Sequence, residues 1–451
     1  MTTSLPKNQA SLDTSSAMRD ILVIAIVLAG ALAALRRPWI GIMLWTWLSI
    51  MNPHRYTYGM AYSAPLAAVA AASVVLGLLM TKDRESPFKA SPVKWMVVFM
   101  VWMTISWLAG LDVAADFEQW KKVMKIDVMI ILSLILLHSK QHIYALIWVC
   151  VGSIALIGIK GGIFTVLTGG SYRVWGPPGS FIEGNNEIAL ALVMIIPLMR
   201  FLQLQLRSRL GGVTMGAGML LCAAAALGSQ SRGALLAIAA MTFTLWLRGK
   251  DKFKMGLLLL VVAVPLVAFM PAEWVDRMET ISNYEEDRSA MGRISAWWTA
   301  WNIALRYPTG VGFDPATPEI FARFSPYPDY VHAAHSIYFQ VLGNHGFIGL
   351  ILFLGIFISS WRSAHWLRSQ ASLPPEAQWA ADLGAMCQVS LVGYAVGGAF
   401  LSLSYFDLPY NVMVMVVLTR VWVERKSWLT EPIYTSGWKT LPGLAPLSKA
   451  V

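Results

Sequence analysis

Long apolar stretches recur along almost the whole chain, and they constrain the fold more than any other feature. A helix needs about 20 mostly apolar residues to cross the hydrocarbon core of a bilayer. Such a stretch has to be helical in lipid, because its backbone hydrogen-bonding groups must be satisfied internally. We therefore predict an all-α, polytopic integral membrane protein with about 12–13 transmembrane helices. The candidate spans are residues 21–35, 38–52, 62–80, 94–111, 124–138, 142–160, 187–206, 212–229, 233–248, 254–270, 346–364, 383–404 and 408–423.

The composition agrees with a membrane bundle. Of the 451 residues, 57% are hydrophobic and only 13% are charged, whereas about a quarter of the residues in a soluble domain are charged. We expect a disordered N-terminal tail at 1–20, one transmembrane bundle at 21–424 with a loop inserted at 271–345, and a cytoplasmic tail at 425–451. Membrane lipids are therefore expected partners of this chain.

The net charge of +10 orients the bundle. In a soluble chain this excess would suggest nucleic acid, but in a membrane protein lysine and arginine collect in cytoplasmic loops, and we expect no nucleic-acid partner. The basic residues fall in alternate loops, among them Arg36, Arg37, Lys82, Arg84, Lys140, Arg200, Arg207, Arg248, Lys250, Arg362, Arg368 and Arg425. The opposite loops are predicted to be external: 53–61, 112–123, 161–186, 229–232, 271–345 and 404–407. Thirteen spans would place the N-terminus outside, and twelve would place it inside.

The loop at 271–345 is the longest polar segment of the chain. Loops of this length between spans are usually functional, and ionisable groups at the mouth of a helical bundle are candidates for a site. Arg293 opens a segment with amphipathic helical character, in which Trp297 and Trp301 are neighbours four residues apart. The same pattern is compatible with a helix that its aromatic side chains anchor at the membrane surface.

Histidines follow in the same loop. His332 and His335 are three residues apart, a spacing that can place both on one face of a helix. A zinc site needs three or four ligands, and the acids nearby are Asp314 and Asp329, so we expect no metal site and no cofactor. The other interpretation is that one histidine acts as a general base near neutral pH. His345, in a Gly-Asn-His-Gly segment, marks a break in a helix and is predicted to be structural.

Two further external segments carry arginines. Arg232 lies in a Gly-Ser-Gln-Ser-Arg-Gly sequence between apolar runs, where an arginine must be solvated, paired or bound to an anion; a side chain that snorkels from a helix end is the alternative. Arg173 lies in a glycine–proline loop that leads to Asn185 and Asn186. These three residues could bind pyrophosphate or sugar hydroxyls, or the loop could be a structural turn alone.

Several of these features form short motifs in a fixed order. They are Ser-Arg-Gly around Arg232, Arg293 ahead of a tryptophan-rich helix, Gly310-Val311-Gly312, and the segment from His335 to Gly349. This order resembles the O-antigen ligase and O-antigen polymerase superfamily of bacterial inner membranes. Ser336 stands where that family usually has asparagine, and His345 stands where glutamate is common. Residues 36–41 and 45–54 also resemble a proteobacterial branch of O-glycosylation ligases linked to exopolysaccharide systems.

The resemblance implies a membrane glycosyltransferase of the GT-C-like class, with a large periplasmic helical loop. Such an O-antigen ligase would transfer a glycan from undecaprenyl pyrophosphate to a sugar hydroxyl of lipid A–core, on the periplasmic side of the bacterial inner membrane. The reaction would be metal-independent and inverting. His335 would be the base, with His332 the second choice. Arg232 and Arg293 would hold the pyrophosphate, because arginine stays charged and binds phosphate through two parallel hydrogen bonds, and Arg173 is a weaker candidate.

Two other functions stay open. An O-antigen polymerase or a protein O-oligosaccharyltransferase would use the same donor, and the sequence does not separate them from a ligase. A transporter of lipid-linked glycans should carry polar groups along the midplane of its spans. This chain concentrates its polar residues on one side of the membrane, which favours an enzyme.

Overall fold

Helices make up the regular structure of the computed structural model, which describes residues 7–248, 251–254, 256–257, 260–261, 264, 288–370 and 372–431. These residues contain no strand. The helices are α1 (Lys7–Arg36), α2 (Pro38–Met51), α3 (Met60–Ser63), α4 (Leu66–Met80), α5 (Ser91–Leu108), α6 (Val113–Leu136), α7 (Lys140–Leu167), α8 (Asn185–Gln205), α9 (Arg209–Gly228), α10 (Arg232–Arg248), α11 (Arg288–Arg306), α12 (Pro318–Phe324), α13 (Ile337–Ser369), α14 (Gln378–Gly397) and α15 (Asp407–Glu424).

The helices confirm the predicted class, an all-α polytopic membrane protein. In the described part of the chain, seven helices are long and apolar enough to cross a membrane, and α2, α4 and α10 are shorter apolar helices. Helices α6 and α15 cover two more predicted spans but carry more charged residues. The predicted span at 254–270 lies largely outside the described residues.

Several predicted boundaries differ from the structure; helix α6, for example, begins at Val113, inside the loop predicted at 112–123, and α7 continues to Leu167, inside the loop predicted at 161–186. The tail predicted at 1–20 is helical from Lys7 onward, and no proline or glycine occurs between Lys7 and Gly30 to end that helix. Helix α13 begins at Ile337 and not near residue 346, so its first turns lie inside the segment predicted as a loop. The predicted break is present, because Gly346 has φ 68° and ψ −172° and interrupts the helix.

The core of the bundle is built around α8 and α15. Residues 188–195 of α8 and residues 412–416 of α15 are all fully buried. Helices that are apolar on every side either lie inside a protein core or face lipid. Here they lie in the core, because α8 packs against α9 and α14, while α15 packs against α13, α14 and α7. These enclosed helices form a fixed frame from which the loops at each end project.

The loops predicted to be external meet at one end of the bundle, which we call the site end. The Asp20 carboxylate accepts a hydrogen bond from Ala61 N at 2.7 Å, and Leu111 N donates to Val311 O at 3.2 Å. The first membrane span begins near Asp20 and therefore starts at the site end, as thirteen spans require.

The loops predicted to be cytoplasmic meet at the opposite end. There Arg425 forms an ion pair with Glu85, and Lys140 N donates to Glu431 Oε1 at 3.0 Å. The alternation of charge along the sequence thus corresponds to two separate ends of the bundle.

Candidate active site

A glycine-rich turn at residues 310–312 packs against the first turns of α13, below the candidate site. Val311 N donates to Gly343 O at 3.2 Å, and Gly312 N donates to Asn344 O at 3.1 Å. At Gly310, where φ is +72°, a Cβ atom would lie 2.2 Å from the Asn344 carbonyl oxygen. Only glycine allows this approach. The Gly-x-Gly motif therefore attaches the loop to the helix break through its backbone.

His345 lies beneath this turn in a buried polar network. Its Nδ1 is 2.8 Å from Ser106 Oγ, and its Nε2 is 2.7 Å from Tyr405 Oη. The Asn344 amide also donates to Tyr405 Oη at 2.9 Å. His345 is fully buried, so it serves the helix break and is out of reach of a substrate, as the sequence predicted.

Replacement of Tyr405 by phenylalanine should destabilise this network. The change removes the hydroxyl that meets both His345 and Asn344 in a buried setting. Buried polar groups left without a partner cost about 1–3 kcal/mol. We expect Tyr405→Phe to lower the free energy of unfolding in detergent by that amount. Tyr58→Phe, at a side chain that is 80% exposed, is the control and should leave stability unchanged.

His335 is held in an unusual backbone conformation just ahead of α13. Its φ is +40°, a left-handed region that costs a non-glycine residue about 1–3 kcal/mol and that clusters at functional sites. Its backbone N–H donates to Ser402 Oγ at 2.9 Å, which anchors it. Its Nδ1 is enclosed and has no hydrogen-bond partner among the described residues. This leaves Nε2 as the ring nitrogen that can meet a substrate.

The surroundings of His335 keep its imidazole neutral. Burial lowers its pKa to about 4, and the nearby charges of His332 and Arg293 act in the same direction. The rings of His332 and His335 have centroids 4.8 Å apart. At neutral pH the imidazole is therefore unprotonated and can accept a proton.

Helix α11 brings Arg293 to the two histidines, and its helical character was predicted. Gly292 packs on the His332 ring, since a Cβ atom there would lie 3.0 Å from His332 Cδ2. Trp297 Nε1 donates to Ala334 O at 2.7 Å, and the Trp297 ring stacks on Phe339 with centroids 5.1 Å apart.

The tryptophans of α11 serve two different surfaces. Trp297 clamps the segment that carries the histidines. Trp298 and Trp301 are 50% and 41% exposed, and they match the surface-anchoring alternative. Both interpretations of this helix are therefore compatible with the structure, each through different side chains.

The turn between α9 and α10 carries Arg232 and receives Arg173. Arg232 is the first residue of α10 and is half-buried. Ser231 Oγ accepts from Ala234 N at 3.2 Å and caps that helix. Arg173 Nε donates to Gln230 Oε1 at 3.2 Å at the surface. The glycine–proline loop thus lies directly against this turn.

Asn185 and Asn186 begin α8 at the same place. The Asn185 amide donates to Ser229 O at 2.7 Å and is buried. This bond joins the start of α8 to the α9–α10 turn and uses one of the two donors of the Asn185 amide nitrogen. Asn186 beside it is half-buried.

Glu187 belongs to the same group, although the sequence analysis did not select it. Its carboxylate folds back over the chain, since a Cβ atom at Gly184 would lie 2.0 Å from Glu187 Oε2. It is also close enough to Arg293 for the two charges to interact. The sequence signal that could have identified Glu187 is its position as an acidic residue in the first turn of a helix.

The structure therefore gathers the predicted residues at the site end. A Cβ atom at Gly233, next to Arg232, would lie 3.2 Å from Phe400 Cβ, and two residues later Ser402 anchors His335. Helices α8, α10 and α13 all begin here, and helix N-termini favour anions. Cationic side chains, helix N-termini and a neutral imidazole together can bind a phosphate group and accept a proton beside it.

No metal cluster accompanies them in the described ranges. There, no group of three or more histidine, cysteine or acidic side chains stands close enough to hold an ion. Cavities of about 460 and 320 Å³ lie at the opposite end, against Arg420 and Glu431 respectively.

Comparison with protein families divides the chain in two. Residues 217–354 match the family model described as O-antigen ligase. Residues 18–207 match a family of unknown function (DUF5935). No curated protein matches the chain. Arg232, Arg293, His332 and His335 fall in the first match, and Arg173, Asn185 and Asn186 fall in the second, so the candidate site is assembled from both segments.

Proposed function

We propose that this chain is an O-antigen ligase, because residues 217–354 match the family model described as O-antigen ligase. It transfers a glycan from undecaprenyl pyrophosphate to a sugar hydroxyl of lipid A–core, on the periplasmic side of a bacterial inner membrane. The observation that carries this proposal is the cluster at one end of the bundle, where the rings of His332 and His335 lie 4.8 Å apart and α11 brings Arg293 beside them.

The donor phosphates would be bound by Arg293 and Arg232, with Arg173 at the rim. A lipid pyrophosphate carries several negative charges, and more charge develops on it as the glycosidic bond breaks. Fixed guanidinium groups stabilise that developing charge without reorganisation. Glu187 would hold the Arg293 side chain in place while the site is empty.

The acceptor hydroxyl would be activated by His335. Nε2 removes the hydroxyl proton while the acceptor oxygen forms a bond to the anomeric carbon. The bond between that carbon and the phosphate oxygen breaks, and its electron pair leaves with the lipid pyrophosphate. Attack from the side opposite the leaving group inverts the anomeric carbon. General base catalysis of this kind contributes about 10²–10⁴-fold.

The low pKa of His335 predicts an unusual pH profile. The quantity kcat/KM reports groups of the free enzyme. It should stay constant from neutral pH to about pH 5 and fall as the imidazole becomes protonated near pH 4. The negative charge of bound donor raises the histidine pKa, so the acid limb of kcat should lie at higher pH than that of kcat/KM. A kcat/KM midpoint at the ordinary histidine value of about 6.5 would contradict this environment.

The arginines also predict that no divalent metal is required. Purified protein freed of metal should transfer lipid-linked glycan equally well with and without excess EDTA. Loss of activity with EDTA and recovery with one divalent ion would overturn this expectation. It would make Asp314, Asp329, His332 and His335 candidate ligands.

A deletion strain tests the function itself. Loss of all glycan-capped lipopolysaccharide is the expected result for a ligase. A ladder that collapses to a single repeat unit would indicate a polymerase. Unchanged lipopolysaccharide together with an unglycosylated protein would indicate a protein O-oligosaccharyltransferase, which would use the same donor and the same base.

A further inference from the structure

Two cations from distant parts of the sequence, Arg55 and Lys122, meet at the site end. Arg55 lies in the turn after α2, and Lys122 lies in α6. They are close enough for each charge to act on the other, and Asp407 is near enough to Lys122 to offset part of this repulsion. Like charges brought together repel unless an anion binds between them.

Both cations contact one ordered loop. The Arg55 guanidinium carbon would lie 3.5 Å from a Cβ atom at Gly179, where φ is +70°. Lys122 Nζ lies 3.9 Å from the centroid of the Phe181 ring. Among the described residues, Glu183 forms no ion pair with either cation, and its carboxylate accepts from Gly179 N at 2.8 Å, which holds the loop closed.

Two buried nitrogen atoms at Arg55 and His54 have no hydrogen-bond partner among the described residues. They are Arg55 Nε and His54 Nδ1. The guanidinium is held from one side by the Tyr62 ring, 4.9 Å from its centroid. Buried donors of a charged group are normally satisfied, so a fixed cation with an unpaired nitrogen is suited to an anionic ligand.

The same loop contacts both this pair of cations and the turn that carries Arg232. Arg173, at the beginning of the loop, bonds to Gln230 beside Arg232, whereas Gly179 and Phe181 contact Arg55 and Lys122. One pyrophosphate on the Arg232 side would leave the second pair of cations for a different molecule.

We propose that Arg55 and Lys122 form a second anion-binding subsite, which holds a phosphate or carboxylate group of the acceptor lipid. The identity of the ligand as an acceptor rests on the proposed transfer reaction. The subsite itself rests on the contacts of the two cations with Gly179 and Phe181. The subsite binds the acceptor lipid equally before and during the reaction and selects acceptors that carry an anionic group.

The test measures the KM of each substrate separately with purified Arg55→Gln and Lys122→Gln proteins. One charge-assisted hydrogen bond corresponds to about a tenfold change in an equilibrium constant. We expect each variant to raise the KM of lipid A–core about tenfold. The donor KM and the kcat at saturating acceptor should stay within about twofold. Lys125→Gln, at an exposed lysine on the same helix, is the matched control. If Arg55→Gln does not fold, Arg55→Lys, which keeps the charge, replaces it in the KM measurement.

Direct binding separates the possible sources of the anion. Wild-type protein should bind lipid A–core more tightly than the same lipid stripped of phosphate by a phosphatase, and Lys122→Gln should lose that preference. Competition by phosphatidylglycerol vesicles at equal strength would overturn the assignment to the acceptor, as would variants that raise the donor KM instead. If lipid A–core binds through Arg55 and Lys122 but no glycan is ever transferred, the subsite stands and the proposed function fails.

Discussion

His335→Ala should insert into the membrane normally and lose nearly all transfer activity. The imidazole is the neutral base in the proposed reaction, and its removal should reduce kcat by about 10²–10⁴-fold. Donor binding should change little, because the arginines remain. The measurement is the transfer of a lipid-linked glycan by purified protein at saturating donor and acceptor.

Two variants control for structural effects. His335→Asn keeps a residue that tolerates positive φ, so it should fold at least as well as His335→Ala while it remains inactive. His332→Ala removes the neighbouring ring, 4.8 Å away. It should reduce activity far less, and it should move the acid limb of kcat/KM to higher pH, since His332 lowers the His335 pKa. Full activity in His335→Ala would remove this residue from the mechanism and leave His332 as the next candidate.

The sequence predicted the architecture well because hydropathy and charge are local signals. Each apolar stretch requires a helix wherever it packs, and alternating basic loops fix which ends lie together. That is why Arg232, Arg293 and His335 could be assigned to one end before any contact was known. Among the boundaries that differ, Lys7 lies where polar residues continue a helix and local hydropathy gives no signal. Ile337 instead begins a short apolar segment, which the break at Gly346 separates from the predicted span.

The contacts that hold the site together were not predictable. Asn185 and Ser229 are 44 residues apart, and their bond depends on how α8 packs against α9. The Asn185 amide, which stays a predicted substrate ligand, also joins these two elements. The sequence analysis did not identify Glu187, Arg55 or Lys122 as site residues for the same reason. A single charged residue beside an apolar stretch is common, and it indicates a site only when its neighbours in space are known.

Buried acids show a further limit of the sequence argument. Asp127 is 4% exposed inside α6, and Asp407 is 3% exposed at the start of α15. The mean hydropathy of a long apolar helix changes little when it contains one carboxyl group, so the sequence analysis identified neither residue as part of the site. Both lie at or below the site end, and Asp407 offsets the charge of Lys122. Asp407 therefore contributes to the electrostatics of the candidate site.

Arg293→Lys should lose most turnover while it keeps the charge. A lysine is a point charge and cannot reproduce the planar fork of donors that binds two phosphate oxygens. We expect kcat/KM for the donor to fall about 10–100-fold, the equivalent of one or two charge-assisted hydrogen bonds. Arg232→Lys should behave in the same way. Arg306→Lys, at an exposed position in the last turn of the same helix, is the matched control and should match the wild type.

The pH profile distinguishes geometry from charge at this position. Arg293 helps to lower the pKa of His335, so a lysine of the same charge should leave the acid limb of kcat/KM near pH 4. Arg293→Ala removes the positive charge, and the histidine pKa should rise, which moves the limb to higher pH. Bidentate phosphate binding is wrong if Arg293→Lys and Arg232→Lys both keep wild-type donor affinity and turnover. A lysine variant with low turnover and an unshifted limb would instead isolate the contribution of the guanidinium fork from that of its charge.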